Sequence, residues 1–367
     1  MNKVTEEANS LMTSIPGTPS FTSNKRGDAL PPPPPNEVCK ALNIKEITID
    51  WLAGDGSDRC YYRILSPELE NSCVLMQLSG QDAKALLDNG YEWIQIGEIL
   101  SDHGIYVPKT IATLPKYAAI IIQDYGNIMM ESVAIGALDQ GKLEETMDLY
   151  QRSFVILKKF LTVKPDREAP WCKRKFDSER FQWELNFFLK EYLENVAGIV
   201  LSESEALTFK KESVALSNFL ASNSDHFVHR DFHSRNVMVK NEKLAVIDFQ
   251  DARYGPVSYD LVSLCFDSYI PFEIKDRVTL VNRGIEHISN GNTGLKEDLE
   301  NQWRAMLLQR QLKAIGSFGY LSVRKNRGNY LKYVKPALET LDPSIVFDER
   351  WPFISSKIIE LIATSTK

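Results

Sequence analysis

The stretch His229-Arg230-Asp231-Phe232-His233-Ser234-Arg235-Asn236, followed by Val246-Ile247-Asp248-Phe249-Gln250-Asp251, decides how this chain reads. It is an H-x-D-x-x-x-x-N loop, then a short apolar run ending in an aspartate. That is the layout of a phosphoryl-transfer site. Such a transfer asks little covalent chemistry of a protein. It needs a base aimed at the acceptor and oxygen ligands for a hard cation. Asp231 is the expected base, taking the proton of an attacking hydroxyl. Asn236 and Asp248 are the expected magnesium ligands. Val237-Met238-Val239 and Leu244-Ala245-Val246-Ile247 read as two short strands around the polar tip Lys240-Asn241-Glu242-Lys243. That hairpin would carry Asp248 back beside Asn236.

Neither half of the pattern says much alone; the order, with a hairpin between, carries the reading. His226, His229 and His233 are clustered and could suggest zinc. They lie between apolar strand-like runs rather than in a helical pattern, however, and no cysteine is near enough to complete a site.

Composition sets the class. The chain has 367 residues, enough for two lobes around a cleft, and an apolar fraction of 43%, enough for a sizeable core. A formal net charge of −6 argues against a dedicated nucleic-acid binder. Cys39, Cys60, Cys73, Cys172 and Cys265 are scattered, odd in number and without C-x-x-C spacing, which suits a reducing compartment. No apolar run has the length of a membrane span, and the N-terminus lacks a signal-peptide core, so no membrane partner and a cytoplasmic location are expected. Nothing in the sequence fixes an oligomeric state.

Three regions follow from the patterning. Residues 1–36 are rich in Ser, Thr, Asn and Pro and end in the run Pro31 to Pro35; they are expected to be a disordered tail. Residues 37–125 read as a small β-rich lobe. In it, Ile47 to Leu52, Tyr61 to Leu65 and Ser72 to Leu78 are strand-like, with Ala53-Gly54-Asp55-Gly56-Ser57-Asp58 between the first two. Gly54, Gly56 and Ser57 could bring backbone N–H groups close to phosphate oxygens. Residues 81–103 read as one helix. Ala118 to Ile122 is a buried strand running into Gln123-Asp124-Tyr125, a hinge-like linker whose backbone would meet the adenine edge. Residues 126–367 are mainly helical, with helices expected over 141–161, 177–195, 203–222, 256–269, 272–289, 296–316 and 330–341. The fold class is therefore α+β: a bilobal, protein-kinase-like fold with a small β-rich N-lobe and a large, mainly helical C-lobe. The nucleotide would lie between lobes.

With Asp248-Phe-Gln-Asp-Ala252 and Tyr254-Gly-Pro-Val-Ser-Tyr-Asp260-Leu added, the catalytic loop resembles the aminoglycoside phosphotransferase and choline kinase superfamily. Within it, the chain is most similar to bacterial N-acetylmuramate/N-acetylglucosamine anomeric kinases. Ala53 to Arg63, Val74-Leu-Met76 and Gln309-Arg-Gln-Leu-Lys-Ala-Ile-Gly316 support the narrower match, and the resemblance spans about residues 42–342. It implies ATP, magnesium and a small-molecule sugar acceptor, phosphorylated on its anomeric hydroxyl for cell-wall recycling. It carries Asp231 over as base and Asn236 and Asp248 as magnesium ligands. His229 and Asp260 would support the loop, although Asp260 could also be a plain N-cap.

The chain departs from protein kinases. Val74-Leu75-Met76-Gln77 offers no strand lysine for the phosphates. Arg59 and Arg63 share strand parity, and either is expected to replace it; Glu92 and Glu98 are the candidate helix partners. Gln250 stands where protein kinases have glycine, and no A-P-E segment follows. For the acceptor, Glu184 and Asn186 share a helix with Phe181, Trp183, Phe187 and Phe188, a mixture that suits a sugar or a simple packed helix. Arg310 and Lys313, one helical turn apart, could meet the carboxylate of a lactyl group. Asp251 could also look toward the acceptor. Three other functions compete. An aminoglycoside kinase would need gathered carboxylates. A choline or ethanolamine kinase would need an aromatic cage, for which Trp183 and Trp303 are candidates. A catalytically dead binding module would not need an intact Asp231, Asn236 and Asp248.

Overall fold

The computed structural model describes residues 32–54, 59–88, 90–164, 170–222, 224–326 and 328–365. Gly56, Ser57 and nearly all of the proline-rich tail lie outside the described residues. The chain divides into two compact units: residues up to 128 together with 238–250, and residues 129–237 together with 251–367.

The first unit begins with helix α1 (Pro35–Leu42). Pro35 and Asn36 therefore belong to a helix rather than to the tail. Proline suits the first helical position, where its missing N–H would have no partner. The strands β1 (Thr48–Gly54), β2 (Cys60–Leu65) and β3 (Cys73–Gln77) come next. Helices α2 (Gly80–Leu87) and α3 (Glu92–Asp102) precede β4 (Thr110–Leu114) and β5 (Ala119–Gln123). The sheet order is β1-β2-β3-β5-β4, antiparallel throughout. The central strand β3 is buried at every position, which is why it reads as an unbroken apolar run. Val38, Ile64, Cys73, Leu75, Ala119 and Ile121 form one core cluster. The single helix expected over 81–103 is two helices. Turn-forming Asp88 and Gly90 interrupt it, with Gly90 N–H bonded to the Ala85 carbonyl at 2.8 Å.

The second unit is built from α4 (Met130–Asp139), α5 (Leu143–Phe160), α6 (Ser178–Phe188), which runs on into a π-helical turn over Leu189–Glu194, and α7 (Glu203–Ala221). Ser202 and Glu205 close a capping box at the start of α7. Strand β6 (His226–Val228) leads into the catalytic loop. The hairpin β7 (Val237–Lys240) and β8 (Lys243–Val246) turns on Asn241 and Glu242, both at positive φ (49° and 62°), the requirement of a two-residue type I′ turn. Strand β9 (Arg253–Gly255) pairs antiparallel with β6. Helices α8 (Ser258–Cys265), α9 (Ile274–Ser289) and the 31-residue α10 (Thr293–Val323) follow.

The hairpin differs from expectation in its allegiance. The sequence pattern puts it among residues 126–367, yet residues 238–250 group with the first unit. The causes are specific bonds: Val239 N–H to the Ile128 carbonyl, Val246 N–H to the Tyr106 carbonyl (2.8 Å each), and Lys240 Nζ to the Asp124 carbonyl at 2.9 Å. Phe249 stacks on Trp93 with centroids 5.0 Å apart.

Helix α10 crosses α6 and its π-turn at close range. A Cβ at Gly316 would stand 2.7 Å from Phe188 Cα, and one at Gly319 would run into the Glu191 backbone. Gln309, fully buried, donates from Nε2 to the Phe181 carbonyl at 3.2 Å. These contacts place α6 and the middle of α10 side by side. Among the described residues, no helix is long and apolar enough to cross a membrane.

Candidate active site

The loop after β6 is tied to α8 by one carboxylate. Asp260, buried in the first turn of α8, accepts from the N–H groups of His229 (2.6 Å) and Arg230 (3.0 Å), one on each oxygen. Arg230 has φ 82°, a costly conformation for a residue with a side chain, and these bonds fix it there. Burial pushes the Asp260 carboxyl up to about 7, against the two N–H donors. His229 is fully buried, with Phe160 and Phe232 rings around it.

The far end of the loop is held separately. Asp267 accepts at Oδ2 from Ser234 N–H (2.9 Å) and from Ser234 Oγ, and at Oδ1 from Tyr269 N–H (2.8 Å). Arg235 bonds Glu131 on α4 through Nε at 2.8 Å and lies 3.6 Å from the Tyr269 ring centroid. Sequence reasoning missed Asp267 and Glu131. Both are distant in sequence from the loop, and a lone aspartate or glutamate in a helical region carries no signal of its partner.

Asp231 is 26% exposed, and α10 supplies its partners: Lys313 Nζ at 3.1 Å and Arg310 Nη2 at 3.3 Å, both on Oδ1. Burial opposes the ionised carboxyl, but Lys313, Arg230 and Arg310 outweigh it and hold Asp231 well below the usual carboxylate range. Burial lowers the Lys313 ammonium to about 8, with Asp231 pulling the other way. Arg310 also donates to Ser263 Oγ at 3.2 Å. An ionised carboxylate on the residue directly after a strained, braced backbone position can take a proton from a hydroxyl brought against it.

Asn236 donates its amide nitrogen to the Asp231 main-chain carbonyl at 2.9 Å, which sets the orientation of its amide oxygen. Asp248 sits at φ 64°, again a strained position for a non-glycine residue, and accepts from Gln250 Nε2 at 2.7 Å. Amide and carboxylate oxygens are the donor types a hard cation takes. Magnesium usually completes its shell with phosphates and water rather than an all-protein cage. In donor chemistry the two residues therefore fit magnesium.

A family model described as a phosphotransferase enzyme family matches residues 52–292. The chain belongs to that family. It is a phosphotransferase acting on a hydroxyl group. An N-acetylmuramate/N-acetylglucosamine kinase of Pseudomonas aeruginosa is 25% identical over 296 residues, covering 80% of this chain and 82% of that protein. A kinase of the same name from Neisseria meningitidis is 33% identical over 158 residues, covering 42% of this chain and 47% of that one. Among solved structures, an ADP-bound aminoglycoside phosphotransferase aligns with TM-score 0.52 at 17% identity, over 83% of this chain and 96% of that one. Plasmodium vivax ethanolamine kinase aligns with TM-score 0.56 at 12% identity, over 93% and 95%.

For a phosphotransferase of this family, the first unit holds two surprises. Arg63 bonds the linker that follows β5. Its Nε and Nη2 bond Asp124 at 2.6 and 3.2 Å, and Nη2 also reaches the Gly126 carbonyl and Asn127 Oδ1. Asp124, 3% exposed, further accepts from Ser72 Oγ (2.6 Å) and Gly126 N–H (2.7 Å). Arg63 thus ties down the linker after β5, because β2 delivers its side chain to that end of the sheet. Gln123 N–H is likewise taken, by the Lys109 carbonyl, and Tyr125 is largely buried. Arg59 is the buried cation that pairs with a helix. Its Nε and Nη2 meet Asp82 Oδ2 on α2 at 2.8 and 2.6 Å, so Asp82 is a helix partner that the sequence reading did not name. Gly54 ends β1.

The acceptor candidates divide. Glu184 is fully buried on α6, 3.6 Å from Arg180 Nε, and neither of its oxygens accepts a hydrogen bond. Its charge is felt by Tyr259, Arg310, Lys313 and Arg230, which places it beside the base. Asn186 is exposed. Asp251 is half exposed and pairs with Arg230 at 3.2 Å. Arg310 donates to Asp231 and Ser263, and Lys313 donates to Asp231. The aromatic cage does not form: Trp303 is buried against Phe266, while Arg180 covers Trp183 at 4.3 Å.

Proposed function

We propose that this phosphotransferase uses ATP and magnesium to phosphorylate the anomeric hydroxyl of an N-acetylated amino sugar, N-acetylmuramate or N-acetylglucosamine, in cell-wall recycling. Asp231 is the base, Asn236 and Asp248 hold magnesium, and the backbone at Gln123, Asp124 and Tyr125 meets the nucleotide base. Arg59, steadied by Asp82, takes the phosphate-side role of the absent strand lysine. When bound, magnesium supplies charge neutralisation on the phosphates.

The observation that carries the acceptor reading is the setting of Asp231. Lys313 and Arg310 hold it, with Arg230 next in line and the unbonded Glu184 carboxylate nearby. A polycationic aminoglycoside would meet these cations head-on. A sugar would use the hydrogen-bonding atoms around the base, including the Tyr259 hydroxyl, which has no hydrogen-bond partner within the protein. The names of the Pseudomonas and Neisseria relatives point to the same acceptors.

The chemistry then follows from this chain's own groups. Lys313 and Arg310 fix the rotamer of Asp231 and keep it ionised. Asp260 fixes the backbone that presents it. A C1 hydroxyl laid against Asp231 gives up its proton as its oxygen attacks. Little basicity is needed where bond cleavage leads attack, so a carboxyl of depressed pKa suffices. The test is a magnesium-ATP assay across N-acetylmuramate, N-acetylglucosamine, choline and kanamycin, with NMR of the product. Phosphate on C1 of an amino sugar is expected. Transfer to choline or kanamycin alone, or ATP binding without transfer to any acceptor, would sink the reading.

A further inference from the structure

The second unit gathers more positive charge beside the base than the base consumes. Arg230 comes from the catalytic loop, Arg253 from β9 and Arg180 from α6. Two carboxylates, Asp251 and Glu184, lie against them. Asp251, 53% exposed, lies 3.2 Å from Arg230 Nη1 and 3.8 Å from Arg253 Nη2. Glu184 lies 3.6 Å from Arg180 Nε, beyond hydrogen-bond range. The buried Nε atoms of Arg180 and Arg230 have no hydrogen-bond partner. Crowding shows in Arg253: burial first, then Arg230 and Arg180, drive its guanidinium down to about 10. Burial is the larger cause, and the neighbouring guanidinium groups add to it.

The three side chains are also held in place. The Arg230 backbone is locked at φ 82° by Asp260. Arg253 sits over the Phe176 ring at 5.1 Å, and its Nε donates to the Asp251 carbonyl at 3.2 Å. The Arg180 guanidinium carbon lies over the Trp183 ring, 4.3 Å from its centroid. Held guanidinium groups with spare donors are what a carboxylate selects.

We propose that Arg180, Arg230 and Arg253 form an anion subsite that takes the carboxylate of an acidic acceptor sugar, at a distance from the hydroxyl attacked by Asp231. The inference rests on the amino-sugar reading above. It also reassigns the carboxylate: Arg310 and Lys313 serve the base, and the arginine triad reads the lactyl acid. N-acetylmuramate and N-acetylglucosamine differ by that lactyl group, so the pair isolates the subsite.

The experiment measures binding of both sugars by calorimetry, and kcat/KM for both, with the wild type, Arg180→Leu and Arg180→Lys. The wild type should favour N-acetylmuramate. In Arg180→Leu that preference should shrink roughly tenfold or more, the worth of a lost charge-assisted pair. Arg180→Lys should recover part of it, a rescue that a purely structural role would not produce. N-acetylglucosamine turnover in the same variants reports whether the fold and base survive. Equal wild-type binding of the two sugars, or a preference unchanged in Arg180→Leu, would overturn the subsite even if C1 phosphate forms. A retained preference for the acid without C1 phosphate would instead overturn the proposed function and leave the subsite standing. Binding of neither sugar overturns both.

Discussion

At the residue scale, Asp231 has the clearest consequences. Asp231→Ala should lower kcat by about two to four orders of magnitude while sparing nucleotide affinity, read by steady-state kinetics and ATP titration. Lys313 makes a separate prediction. Its ammonium titrates at about 8. Below that pH it carries charge and donates to Asp231; above it the charge is gone. Activity should therefore fall as pH rises through about 8. In Lys313→Arg, whose cation does not titrate there, the alkaline limb should move upward. An unchanged limb in that variant would show that another group is responsible. Asp260→Ala should strip the acceptor from the buried His229 N–H and from the part-buried Arg230 N–H. A loss of about 1–3 kcal/mol in urea unfolding is expected, with a matching fall in kcat.

At the element scale, the sheet and α10 carry the argument. Arg63→Ala would leave Asp124 buried without its main partner. A destabilisation of about 3 kcal/mol is expected, larger than for Arg59→Ala, whose partner Asp82 is one-third exposed. Gly316→Ala would press a methyl group against Phe188 and should cost about 1–3 kcal/mol in thermal unfolding. Elements of this kind were partly legible. The strand β3 and the helices around α5, α7 and α9 follow from apolar periodicity. The apolar stripe over 81–103 reads as one helix and hides the break between Leu87 and Glu92. The direction of Arg63 was not legible, because parity says which face of a strand a side chain takes, not which carboxylate waits there.

At the scale of the whole molecule, short-range patterns proved readable and long-range partners did not. The loop from His229 to Asn236 and the hairpin to Asp248 lie within twenty residues of sequence, so spacing alone exposed them. Asp267, Glu131, Asp82 and the arginine triad are joined only by folding. The hairpin's membership in the first unit also depends on bonds to Tyr106, Asp124 and Ile128, remote in sequence. If Asn236 and Asp248 hold magnesium, chelation with EDTA should abolish turnover and added magnesium should restore it. Asp248→Ala should not be rescued by the metal.

The placement of Arg310, Lys313, Gly316 and Gly319 on one helix bears on how this catalyst could be redesigned. Within ten consecutive positions, α10 carries both the cations that grip the base and the bare backbone that lets α6 approach. Mutational libraries that randomise this stretch would be dominated by variants that fail before any new acceptor is sampled. The outer surface of α6, where Trp183 is half exposed, is the place to begin retuning substrate choice.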